Sequence, residues 1–440
     1  MQHHRSSTGT PYRVGIAAIA LLGGAFAAHP AAAQDTPAPA AATPPAVTPT
    51  QTTPQATVPG TPPATNPPAA APPATNPPAP KQTPVPADSN FTISGLLDFY
   101  YQYQFSNPKH SANLTGRIYD FRHSTPTFAL AWIDIGRAPK PNGFGFHVSL
   151  ASGDDADADV PAAQSGTGES RFKNLAEIYG TYMGPSGFTV DVGKFLSPYG
   201  FDTTKSTLNF NYSLTLATFL VPNYLGGLRA TYPFKNPNLA ASIYVVNSLE
   251  ETPTSGFQED NGTKDFLFRL NYTSPGGKIN YIPAVGIGKD KLGSAGNGNE
   301  KITLWDNWLI VHLTPATTLA GEYVYRKDKD DGGGYDLRGD GVGVYVHQQL
   351  SKKTAATLRW SHLTKHMDSF AFDEDTVSSS FAANEVTATY ELKLYKNLTT
   401  RFEFRHDWTN NAAAFGFVNG DKSTPASSQN TLTAATLITF

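Results

Sequence analysis

The chain has 440 residues, 39% hydrophobic, 12% aromatic and 16% charged, with 35 Pro, 38 Gly and a net charge of -3. That charge gives no ground for a nucleic-acid partner, and the absence of Cys excludes disulfides, thiol catalysis and Cys-ligated metals. Mean hydropathy is -0.32, and beyond the amino terminus no run approaches the roughly 18 apolar residues of a spanning helix; a membrane barrel stays open, because its strands average to near neutrality.

Residues 1–33 read as a secretory signal: Arg5 and Arg13 in a polar leader, an apolar stretch from Val14 to Ala28, and the small-residue site Ala31-Ala32-Ala33. An uncleaved anchor is the alternative, but an apolar stretch of about 15 residues is short for a span. No Cys follows the site, so a lipoprotein is not expected. Residues 34–88 hold almost only Ala, Pro, Thr, Gln, Asn and Val, with PPATNPPA at 62–69 repeated at 72–79. Such a segment buries too little apolar area to offset its ordering entropy and reads as a disordered, partly polyproline II periplasmic linker. Fully extended it would reach on the order of 170 Å. A passive tether is expected, with peptidoglycan or a periplasmic partner as the sharper alternative.

From 89 to 440 the pattern changes. In FTISGLLDFYYQYQF, Phe91, Ile93, Leu97, Phe99, Tyr101, Tyr103 and Phe105 share one face, opposed by Thr92, Ser94, Asp98, Gln102 and Gln104. A sustained period of two is a strand. The alternation returns at 143–151, 264–273, 382–394 and 398–409. Turn-rich clusters at 138–142, 184–187, 235–238, 274–277, 314–317, 351–354 and 395–397 alternate with long polar stretches near 106–125, 152–172, 196–223, 248–263, 289–299, 328–340, 364–381 and 410–428.

This arrangement predicts an all-β, antiparallel up-and-down transmembrane barrel of sixteen strands, with fourteen or eighteen as neighbouring solutions and both chain ends on the short-turn side. Strands of about ten residues, tilted near 45°, project to roughly 23 Å, close to the apolar thickness of an outer membrane. A soluble sandwich would share the alternation but need not segregate short and long connections to opposite ends.

Cost decides which face meets water. Between Leu398 and Trp408, Arg401, Glu403, Arg405 and Asp407 oppose Leu398, Phe402, Phe404 and Trp408; turning the strand over would place two Arg in lipid at roughly 2–4 kcal/mol each. The same reasoning sends Asp98, Glu177, Asp191, Arg269, Glu322, Arg359 and Glu391 inward as pore-lining residues of a polar, wet lumen. Mixed charge predicts weak selectivity, at most a slight cation preference.

The longest stretch, 196–223, carries Leu208, Phe210, Tyr212, Leu214, Leu216, Phe219 and Leu220. So many large apolar side chains suggest a loop folded into the lumen as a constriction; a subunit contact or an outer lid are the other readings. The chain ends in TLTAATLITF, with Leu432, Ile438 and the terminal Phe440 on one face, a pattern that looks like the assembly signal read by the barrel-insertion machinery. Outer-membrane lipid and lipopolysaccharide are the expected surroundings, and a homotrimer is a possible assembly.

No catalytic or metal motif completes itself. Asp155, Asp157 and Asp159 open like a calcium loop, but Val160 and Gly166 occupy the Gly and bidentate Glu positions. His362 and His366 lack further ligands nearby in sequence, Gly187–Lys194 misses phosphate-loop spacing, and no Gly-x-Ser-x-Gly elbow occurs. No cofactor is expected. The opening strand, VDVGKFLSPYGFDTT at 190–204, GGLRATYPF at 226–234 and VVNS at 245–248 together resemble the OmpL-like β-barrel porins of bacterial outer membranes. The resemblance covers Phe91 to Phe440 and implies a passive or weakly selective pore without catalytic residues. The position of the apolar loop is similar to that of the constriction loop of trimeric general porins. Residue chemistry thus predicts an outer-membrane diffusion channel for small hydrophilic solutes or ions, with an envelope tether acting through the Pro-rich arm, or a barrel enzyme, as the alternatives.

Overall fold

A computed structural model describes residues 91–105, 113–114, 116–158, 174–249, 262–291, 299–330, 336–366, 381–410 and 426–440. The expected signal, 1–33, and linker, 34–88, lie outside them.

The strands are β1 (Phe91–Gln104), β2 (Pro126–Arg137), β3 (Gly143–Ser152), β4 (Leu175–Met183), β5 (Thr189–Leu196), β6 (Tyr224–Pro233), β7 (Leu239–Val246) and β8 (Asp265–Thr273). They continue as β9 (Ile279–Lys291), β10 (Asn299–His312), β11 (Thr317–Asp330), β12 (Asp336–Gln349), β13 (Thr354–His366), β14 (Phe381–Tyr395), β15 (Leu398–Thr409) and β16 (Ser428–Thr439). Each pairs antiparallel with its sequence neighbour, and β1 pairs with β16 to close the barrel. The expected strand count and the segregation of short turns to one end both hold. One boundary differs: the polar stretch 328–340 narrows to a gap between Asp330 and Asp336. Polarity does not end a strand once it has risen past the apolar band, where outward side chains no longer meet lipid.

Burial follows the two-residue period. In β15, Arg401, Glu403, Arg405 and Asp407 are buried while Phe402 and Phe404 are 48% and 42% exposed on the outer face. The seam depends on the last residue. Phe440 N–H donates to Gly95 O at 3.1 Å and Gly95 N–H to Phe440 O at 2.9 Å. The Phe440 ring lies where a Cβ at Gly95 would stand, so any larger residue there would have to displace the ring.

Apolar packing also fills part of the interior. One cluster joins Leu216, Ala217, Leu220 and Val221, from the chain between β5 and β6, to Ile302, Leu304, Val324 and Leu363 on the inner wall. Such packing inside a barrel wide enough for an aqueous channel shows that the segment 197–223 lies within the wall.

Candidate channel lumen

Segment 197–223 is closed at its base by Ser197 N–H donating to Asn223 O at 2.9 Å. Wall carboxylates receive its first residues: Gly200 N–H donates to Asp306 on β10 at 2.7 Å and Phe201 N–H to Glu322 on β11 at 2.6 Å. The Phe201 ring sits 4.7 Å from Tyr345 of β12, and Phe210 stacks on His347 at 4.7 Å. Asp202 accepts from Thr215 N–H at 2.9 Å and Tyr345 Oη at 3.1 Å, and Arg359 on β13 lies 3.3 Å away. Burial pushes the Asp202 carboxyl above the usual carboxylate range, against the pull of Arg359 and the Thr215 N–H.

Further along, the wall supplies donors to backbone carbonyls. Arg401 donates to the carbonyls of Ser206, Asn209 and Asn211 at 2.6, 2.8 and 3.0 Å. Arg359 reaches Ser213 O at 2.6 Å and Leu214 O at 3.2 Å, and Arg405 reaches Leu214 O at 2.6 Å. Glu403 takes the N–H groups of Tyr212 and Ser213 at 2.6 and 3.0 Å. Asp98 on β1 accepts from Ser206 Oγ and, at 3.0 Å, from Tyr212 Oη. Irregular backbone survives at membrane depth only when its polar groups are satisfied by protein or by water in a cavity; here wall side chains meet that requirement.

The segment ends in a short 3-10 turn, Leu216–Leu220, capped by the Thr215 side chain accepting from Ala217 N–H. It fits against β12 because the inward positions there are glycines. A Cβ at Gly341 would stand 2.9 Å from Ala217 Cα, and one at Gly339 would overlap the Leu220 side chain.

The predicted pore-lining residues all lie on inward faces, but most do not meet water. Asp98, Glu322, Arg359, Arg401, Glu403, Arg405 and Asp407 are between 0% and 4% exposed. Segment 197–223 covers the first six, whereas Asp407 meets Arg117 of the β1–β2 connection at 2.9 Å; the arginines are paired, Arg359 with Glu385 at 2.6 Å, Arg401 with Glu391 at 2.8 Å and Arg405 with Asp407 at 2.8 Å. Glu391 is half-buried, as is Arg269, whose guanidinium lies 5.2 Å from the Trp308 ring centroid. Asp191 and Arg229 pair at 2.7 Å on β5 and β6. Of the predicted loop residues, Tyr212 and Leu216 are buried, Phe210 and Phe219 are half-buried, and Leu208 is 67% exposed. Leu432 and Phe440 are exposed and Ile438 is half-exposed on the outward side of β16.

Sequence reasoning passed over Asp202, Asp306, Glu385 and Tyr345, which complete the grip on the segment. The signal that could have revealed the docking place was Gly339, Gly341 and Gly343 at every second position of β12. It also missed a cluster on β2–β4: His147 Nε2 lies 3.5 Å from Asp134 and 3.4 Å from Glu177, with the Lys205 ammonium 3.1 Å from Asp134. These ligand atoms are close enough to hold one metal ion, but Ser149 Oγ links the two carboxylates at 2.6 and 3.2 Å and Lys205 already brings a positive charge to Asp134. His362, on β13, bonds Asn384 through Nδ1 at 2.8 Å and stacks on Trp360.

The family model described as "Putative beta-barrel porin-2, OmpL-like" matches residues 90–440. The chain belongs to this porin family. No curated protein matches it. Among solved structures, the porin is similar to the anion-selective porin from Comamonas acidovorans, at 12% identity and a TM-score of 0.54 over 80% of this chain and 99% of that one. It is similar to OmpT of Vibrio cholerae in its trimer form, at 12% identity and 0.52 over 80% and 99%, and to the outer membrane channel DcaP of Acinetobacter baumannii, at 11% and 0.51 over 80% and 97%. At such identities the likeness is one of fold. Family and fold together place the porin in the outer membrane and make it a channel-type barrel rather than an enzyme.

Proposed function

We propose that the barrel is a passive diffusion channel for small hydrophilic solutes or ions, narrowed by segment 197–223. The observation that carries this reading is the attachment of that segment to one side of the inner wall, from β10 round to β15 and β1. On β2, β3 and β6 inward side chains keep partial access to solvent: Asp134, His147 and Arg229 are 21%, 27% and 24% exposed at the side chain, and Lys205 of the segment reaches Asp134 at 3.1 Å. The open path in this reading runs past β3–β6, with Leu208 beside it. Because the interior arginines are matched by carboxylates, the net field along the path is small and selectivity is weak. In planar bilayers the purified protein is expected to give discrete conductance steps; a protein that never conducts would sink this reading. Removing Leu208–Leu220 should enlarge the step, and an unchanged step would count against a constriction.

The short-turn end, where β1 begins, faces the periplasm in this reading, so the arm 34–88 enters from that side. The assembly we favour is a homotrimer, by analogy with the trimer form of OmpT of Vibrio cholerae. Light scattering of the detergent-solubilised protein should return three chains per particle, and one chain would exclude it.

A further inference from the structure

Strand register builds the inward cluster on β2–β4. Asp134 stands opposite Ser149 and Ser149 opposite Glu177, so three polar side chains form one row across three strands. His147 precedes Ser149 by two positions and therefore faces the same way. Its Nε2 lies 3.5 Å from Asp134 Oδ1, 3.4 Å from Glu177 Oε2 and 2.8 Å from Ser149 Oγ.

These separations fit a single ion. Ligands at about 2.0–2.2 Å around a tetrahedral zinc stand roughly 3.4 Å from one another, close to both imidazole–carboxylate distances. The ligands are also held from behind, as metal sites require. Trp132 Nε1–H donates to Asp134 Oδ1 at 2.6 Å, Leu196 N–H donates to Glu177 Oε1 at 3.0 Å, and the His147 ring stacks on Tyr179 at 5.1 Å. Asp134 and His147 are half-buried and Glu177 is buried, so the row is approached from the lumen. An imidazole among the ligands favours zinc-class ions over calcium or magnesium, which take oxygen ligands.

Lys205 competes for the same carboxylate. Its ammonium lies 3.1 Å from Asp134 Oδ2 and 4.9 Å from the Trp132 ring centroid, fastening segment 197–223 to β2. It occupies Oδ2, whereas the atom facing His147 is Oδ1. Two cations on one carboxylate repel, and a divalent ion neutralises both carboxylates by itself. We propose that Asp134, His147 and Glu177 bind one divalent transition-metal ion of the zinc class, and that its arrival drives Lys205 off Asp134 and loosens the segment from β2.

Calorimetric titration of the full barrel in detergent, free of any histidine tag, with Zn2+ tests the site. One ion per chain is expected, and excess calcium should leave zinc binding unchanged. His147→Gln should lose roughly tenfold or more in affinity, and Glu177→Gln should lose affinity as well, which keeps the test decisive if one variant folds poorly. Lys205→Gln removes the competing cation and should tighten binding, a gain that should vanish when His147→Gln is added. His362→Gln, an imidazole outside the cluster, should bind as the wild type does. Absence of bound zinc, unchanged affinity in His147→Gln, weaker binding in Lys205→Gln or full displacement by calcium would overturn the metal site. In planar bilayers Zn2+ should change the conductance step of the wild type and not that of His147→Gln; an unchanged step with zinc bound would overturn the release of Lys205. This second readout rests on the channel reading, whereas calorimetry does not, so a protein that binds zinc but never conducts refutes the channel and not the site.

Discussion

Arg359 shows how a single residue changes its meaning between sequence and structure. Alternation places it inward on β13, which the sequence reading equated with facing water. Instead it is fully buried, donating to Glu385 through Nε at 2.6 Å and Nη2 at 3.2 Å, and to two carbonyls of segment 197–223. A buried guanidinium surrounded by acceptors is costly to remove, because its partners are then left desolvated and unpaired. Arg359→Ala should destabilise the barrel by about 3–5 kcal/mol, read as a lower urea midpoint for loss of the heat-modifiable folded band. Arg359→Lys keeps the charge but not the planar fork, so its midpoint should fall between those of the two proteins.

At the scale of elements, the fit between β12 and the Leu216–Leu220 turn is the point where the segment is most sensitive to volume. Glycines at 339 and 341 leave the wall without side chains just where Leu220 and Ala217 approach. Gly341→Leu should cost about 1–3 kcal/mol in overpacking and push the segment off the wall. Single-channel recording is expected to show an altered or unstable step, with Gly341→Ala milder. The apolar residues of the segment were visible in the sequence, but their destination was not: larger residues at 339 and 341 would have left the same loop composition with nowhere to dock. Similarly, β15 displayed its charges openly, while their partners lie on β14 and β16, in the β1–β2 connection and in the segment itself.

For the whole molecule, closure decides whether a sheet becomes a barrel, since an open sheet would leave unpaired edges in lipid. Pairing of β1 with β16 runs from Leu96 opposite Thr439 to Gln104 opposite Thr431, and Phe440 extends it with two backbone bonds to Gly95. Deleting Phe440 removes both bonds and the ring over Gly95, and should cost about 1–3 kcal/mol. The folded fraction recovered in outer membranes, followed by heat modifiability, should fall, and Phe440→Tyr should restore it.

The sequence by itself determined the strands, their number, their inward and outward faces and the end at which the chain closes, because each follows from a two-residue period, turn chemistry and the cost of charge in lipid. It determined the class of protein for the same reason. Only the tertiary structure decided that Arg359, Arg401, Glu403 and Arg405 are buried beneath segment 197–223, and that partly exposed side chains remain along β2–β6. Those outcomes depend on which residues face one another across the interior, such as Arg401 and the Asn209 carbonyl, and alternation along one strand carries no information about what stands across the barrel from it.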